Sequence, residues 1–139
     1  MASGPDPEGT VARGHALAHG AGSGPALVIE PVGLWGGVSA EDGRIIDVHH
    51  PACGRSIVGA VVVMRHGRGS SSASAILAET LRLGTGPAAI VLRSPDAILA
   101  VGSVVAHELY GVTCPVVELD EGGFAAVAAL DGALLAVSA

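Results

Sequence analysis

SIVGAVVVMRHGRGSSSASAILAETLRL, residues 56–83, carries the reading of the fold. It opens on an apolar, β-branched run (Ile57, Val58, Val61, Val62, Val63, Met64) of a length that suits a buried strand. The run breaks at His66-Gly67-Arg68-Gly69, where two glycines permit a tight turn. A helical period follows: Ala73, Ile76, Leu77, Thr80 and Leu81 fall on one face, and Gly84 is a stop. Between the halves stand Ser70, Ser71 and Ser72. A strand, a glycine turn and a hydroxyl-bearing helix start make a site for an anion, because unpaired N–H groups and the positive dipole end converge there. The serines also read as helix caps, at least one of them in that role, and geometry alone favours capping over chemistry.

Working outward, residues 87–93 (PAAIVLR) form a further buried strand, and Ser94-Pro95-Asp96 reads as a helix start. Ser94 is taken as the cap, Pro95 as the first helical residue and Asp96 as a first-turn acid. The helix is expected to run to Tyr110, with Ile98, Leu99, Val101, Val104, Val105 and Leu109 on a wide apolar face, and to stop at Gly111. Residues 115–119 read as a strand, 121–129 as a short helical turn and 133–137 as a closing strand.

Upstream, residues 26–30 (ALVIE) and 44–48 (RIIDV) read as strands, the second after a turn at Glu41-Asp42-Gly43, and residues 11–18 as a looser first strand. Trp35, Gly36 and Gly37 lie in the loop between; Trp35 reads as a core plug or as a site element beside a closely approachable backbone. Pro51 holds His50 extended. His15 and His19 have helical metal spacing, but the surrounding glycines forbid a helix. Early strands with turns, followed by alternating strand and helix, define a layered α/β (β/β/α) domain with right-handed crossovers. Ligands of such sheets bind beyond the carboxyl ends of the strands. That is where the turn after Met64 lies, and Trp35, Gly36, Gly37 and His50 also follow strands. Residues 1–10 read as a disordered leader and 11–139 as one domain.

The chain has 139 residues, of which 50% are hydrophobic and only 14% charged, so part of its surface is expected to be covered by another chain. Its formal charge is −6 and its seven basic residues are scattered, which argues against nucleic acid. No apolar run reaches the roughly 18 residues of a membrane span, and the N-terminus lacks a signal pattern. Cys53 and Cys114 stand apart, so no disulfide framework or metal cluster is expected, and a cytoplasmic chain with reduced thiols is.

Four ordered blocks resemble one family: EPxxxWGG (from Glu30), GRIIDxxHP (from Gly43), GRGSSSxS (from Gly67) and LRLGTxPAAIVLR (from Leu81). They are similar to the small-subunit, or swivelling-domain, sequences of aconitase X, over residues 27–119. The resemblance implies a swivelling β/β/α domain like the C-terminal domain of aconitase. It also implies pairing with a large subunit that holds iron or an iron–sulfur cluster, no metal on this chain, and a hydro-lyase reaction. Relatives dehydrate cis-3-hydroxy-L-proline, the leading expectation, or phosphomevalonate. Ser70 takes the position of the family's proposed general base. Gly67, Arg68, Gly69, Ser71 and Ser72 are the expected substrate-binding residues; Trp35, Gly36, Gly37 and His50 are the expected site edge or subunit interface. Arg68 reads as the partner of a substrate carboxylate or phosphate, or as a solvated turn residue. The segment after Asp120 is alanine-rich and departs from the family pattern. Two readings from other classes stand beside this one. The first is a non-catalytic carrier or interaction module using His49, His50 or His66; the second is a stand-alone small-ligand binder built on the serine turn.

Overall fold

The computed structural model describes residues 9–139. Six strands form one sheet: β1 (Gly14–Ala18), β2 (Ala21–Val28), β3 (Val61–Met64), β4 (Ala89–Leu92), β5 (Val116–Leu119) and β6 (Leu134–Ser138). Their spatial order is β1-β5-β4-β3-β2-β6. The pairs β2–β3, β3–β4 and β4–β5 are parallel, while β1 and β6 close the two edges antiparallel to β5 and β2. The parallel centre is served by α2 (Ser72–Leu83), α3 (Ala97–Tyr110) and α4 (Glu121–Ala128), preceded by a kinked turn, α1 (Leu34–Gly37). This is the layered α/β arrangement expected from the alternation of elements. The leader assigned to residues 1–10 lies, apart from its last two residues, outside the described residues.

Period-two alternation divides the core. Val62, Met64, Ile90 and Leu92 pack with Leu77 and Leu81 of α2 and Leu99 of α3, whereas Val61, Val63, Ala89 and Val91 pack with Phe124 and Val127 of α4. The central strands are therefore buried on both faces, which explains their unbroken apolar runs.

Three expectations need correction. Residues 44–48 form no strand; only the isolated bridges Val38–Ile45 and Arg44–Ser56 occur there. Ile45 is buried, but Ile46 and Val48 face water, so the β-branched side chains have no facing layer to pack against. The second strand begins at Ala21 rather than at residue 26, because β6 pairs with Ala21 to Pro25. Glycine serves there because a Cβ on Gly24 would stand 1.9 Å from the Gly59 carbonyl oxygen. Finally, Asp96, not Ser94, caps α3: its Oδ1 accepts from the N–H groups of Ile98 and Leu99 at 2.8 and 3.0 Å.

Candidate active site

β3 ends at Met64, and the chain turns through residues 65–71 before α2 begins. A side chain at Gly67 would collide with its neighbour: a Cβ would lie 1.8 Å from Asp96 Oδ2. The carboxylate that caps α3 thus also braces the turn. Gly69 takes φ 105°, in the region that L side chains rarely adopt. Arg68 makes a parallel bridge to Gly33, which joins the serine turn to α1.

Ser70 emerges exposed at the start of α2. Its carbonyl accepts from Ala73 N–H at 3.0 Å, and its Oγ accepts a long bond, 3.3 Å, from Ser72 N–H. Among the described residues its own hydroxyl proton reaches no acceptor. Ser71 holds the capping position in helical conformation (φ −57°, ψ −20°) with no side-chain cap bond. The capping expected of the serines therefore falls to Ser70. Ser74 Oγ donates to the Ser71 carbonyl at 2.8 Å.

The charges around the turn are sorted. Arg65 Nη2 meets both oxygens of Glu121 at 2.9 and 2.8 Å, and Arg93 Nε meets Oε2 at 2.9 Å. These bonds, Arg65 first, hold the Glu121 carboxyl below the ordinary glutamate range. Arg65 also lies over the Phe124 ring, 5.4 Å from its centroid. Among the described residues, no carboxylate lies within ion-pair distance of the exposed Arg68 guanidinium.

Gly67, Arg68, Gly69, Ser70, Ser71 and Ser72 are brought together on this turn, and Trp35, Gly36 and Gly37 are joined to it through the Gly33–Arg68 bridge. Trp35 is not a core plug: it is 65% exposed. His50 has its ring tied to the backbone. It is buried, Nε2–H donates to the Glu30 carbonyl at 2.7 Å, and Nδ1 accepts from Ala52 N–H at 2.9 Å. Both ring nitrogens are thereby occupied, leaving neither one to take a phosphoryl group or a metal. It lines a cavity of about 380 Å³ with Glu30, Arg55, Arg65 and Phe124, and Ser70 is not in that lining. His66 donates from Nδ1 to the Gly67 carbonyl at 2.7 Å.

Among the described residues, no three His, Cys, Asp or Glu side chains converge on a metal position. Cys53 is exposed, and burial pushes the Cys114 thiol up to about 12, so Cys114 offers no thiolate near neutral pH. These donors do not fit an iron or iron–sulfur site. Asp96 is the site residue whose part the sequence reading missed; its position after Ser-Pro placed it in the helix, whereas it stands one residue before it.

A mixed six-stranded sheet flanked by helices, with a glycine-serine turn at the carboxyl edge of its parallel strands, defines a layered α/β domain. The chain belongs to the aconitase X swivel domain family, whose model matches residues 11–138. The match runs through α4 and β6, so the alanine-rich C-terminal segment is part of the family pattern after all. The chain is 45% identical, over 76% of its length, to a protein named cis-3-hydroxy-L-proline dehydratase from Pseudomonas aeruginosa, and spans 18% of that protein. It is 40% identical, over 65% of its length, to a phosphomevalonate dehydratase small subunit from Methanothermobacter thermautotrophicus, covering 70% of it. The crystal structure of Thermococcus kodakaraensis aconitase X in its holo-form superposes with a TM-score of 0.77 at 25% identity, covering 91% of this chain and 90% of that one. No helix among the described residues is long and apolar enough to cross a membrane.

Proposed function

We propose that this chain is the swivelling small subunit of an aconitase X-type dehydratase and that Ser70 is its general base. One observation carries the reading: Ser70 stands exposed on the glycine-serine turn, and its Oγ accepts an N–H at the start of α2, the contact that stabilises the oxygen once its proton has left to solvent. Dehydration requires a base to take a carbon-bound proton while hydroxide leaves the neighbouring carbon. A serine hydroxyl is a poor base in water because its pKa lies far above neutrality. Donors at a helix start stabilise the alkoxide, and excluding water strengthens them. Arg68 pairs with the substrate carboxylate or phosphate, and Gly67 and Gly69 let that group approach the backbone. Ser71 and Ser72 supply further polar contacts. The reading assigns the acceptor of the leaving hydroxide, an iron or iron–sulfur centre, to a large subunit, in a cytoplasmic heteromer.

The substrate in this reading is a small hydroxy acid. The 45% identity to the hydroxyproline enzyme favours cis-3-hydroxy-L-proline. Phosphomevalonate is the second reading, favoured because the chain covers 70% of a relative that is a separate small subunit. The test assays dehydration of both compounds by this chain combined with its large subunit. Ser70→Ala is expected to lose about 10²-fold or more in kcat on whichever compound reacts. Near-normal turnover by Ser70→Ala would overturn the assignment of the base.

A further inference from the structure

The serine turn is exposed, and Trp35, Ile46 and Val48 stand exposed on segments bridged to it. The Gly37 carbonyl accepts from Ile46 N–H at 2.8 Å, and Val38 bridges Ile45, so α1 and residues 44–48 lie side by side. Neighbours along each segment point opposite ways. Leu34 and Ile45 are buried at 4% and 1% exposure, while Trp35, Ile46 and Val48 stand out at 65%, 49% and 78%. Asp47, between two of them, has its Oδ1 turned onto His49 N–H at 2.9 Å. The same α1 is bridged to Arg68 through Gly33, which makes this lip continuous with the turn that bears Ser70.

From this juxtaposition we propose that Trp35, Ile46 and Val48 form the docking lip for the larger chain of the enzyme, which receives the indole in an apolar recess and so covers the serine turn. The inference rests on the proposed dehydratase reading and adds the surface and its chemistry. The relatives argue for that occupant. In the 45% identical protein, the matched part is 18% of the chain, and the remainder is covalently attached; the small-subunit relatives carry no such remainder. A second copy is a poorer occupant, because nothing about self-association would close the turn. A solvent-exposed indole is the type of side chain that anchors interfaces. His50, buried and doubly hydrogen-bonded, takes no part in this surface.

Trp35 is the chain's single tryptophan, so 5-fluorotryptophan labelling gives one ¹⁹F resonance that reports this site alone. The labelled chain is mixed with the separately purified, unlabelled aconitase X-type large subunit of the same genome. A complex on size exclusion, with a shifted resonance that loses its H2O/D2O solvent isotope effect, is the expected result. Trp35→Ala is expected to raise Kd about 30-fold or more, and Val48→Ser to raise it severalfold. Val104→Ser, at a 48% exposed apolar position on α3, is expected to change it less than threefold. Unchanged urea midpoints show that each variant is folded. A complex in which Trp35 keeps its full isotope effect overturns the lip and leaves the dehydratase reading standing. A solvent-shielded resonance in the chain alone, eluting as a dimer, gives the lip to a second copy and also overturns the inference. Absence of any complex overturns both.

Discussion

Gly67 shows how one missing side chain holds two functions in register. A Cβ there would stand 1.8 Å from Asp96 Oδ2 and 3.3 Å from Leu99 Cδ1. Asp96 cannot yield cheaply, since its other oxygen holds two N–H groups of α3. Gly67→Ala is therefore expected to break that cap, costing about 1–2 kcal/mol in urea unfolding, and to displace the serine turn. Adding Asp96→Ser, which shortens the clashing side chain and keeps a capping oxygen, is expected to recover part of the loss. A failure of the second substitution to restore any stability would show that the clash lies elsewhere. Ser70 itself was legible in the sequence as a hydroxyl at a helix start. Its brace was not, because the 29 positions separating Gly67 from Asp96 close only through a βα unit.

At the scale of elements, α2 and α3 pack so closely that Gly102 meets its neighbour's backbone: a Cβ would lie 2.7 Å from the Ser74 carbonyl oxygen and 3.1 Å from Leu77 Cβ. Two effects oppose each other in Gly102→Ala. Alanine gains up to about 1 kcal/mol of helix propensity, whereas overpacking costs about 1–3 kcal/mol. The contact at 2.7 Å is with a backbone atom that no rotamer change removes, so overpacking wins. The expected outcome is a lower urea midpoint with unchanged m-value, and a raised midpoint would show that the helices part freely. Ser74 lies in the first turn of α2, so under the proposed function the same substitution is also expected to reduce dehydration by the complex. The helices were legible from their periodicity and stops: Gly84 and Gly111 end α2 and α3 in left-handed conformation, as read. The strand read at residues 44–48 fails because composition reports a preference for pleated surface and says nothing of whether a partner strand is present.

For the whole molecule, Glu121 clamps the start of α4 to the ends of β3 and β4 through Arg65 and Arg93. Its carboxyl is held below its ordinary range, so the clamp's contribution is fully present above that range and is lost as pH falls through the lower folded value. Glu121→Gln is accordingly expected to unfold more readily than the parent at pH 7 and to match it near pH 2. The pH 7 gap is expected to be small and to shrink in high salt, since all three side chains face solvent. Equal urea midpoints at pH 7 would remove the clamp from the stability of the fold. The layering, the parallel centre, the glycine turn and Ser70 all follow from local patterns: apolar runs of strand length, helical period, and punctuating glycines. Which carboxylate holds which arginine, that Trp35 stands in water and His50 does not, and that Asp96 braces Gly67 follow from contacts between residues far apart in the chain. Periodicity encodes which face of an element turns inward; what it meets there depends on how the elements cross, and that is settled when the layers close.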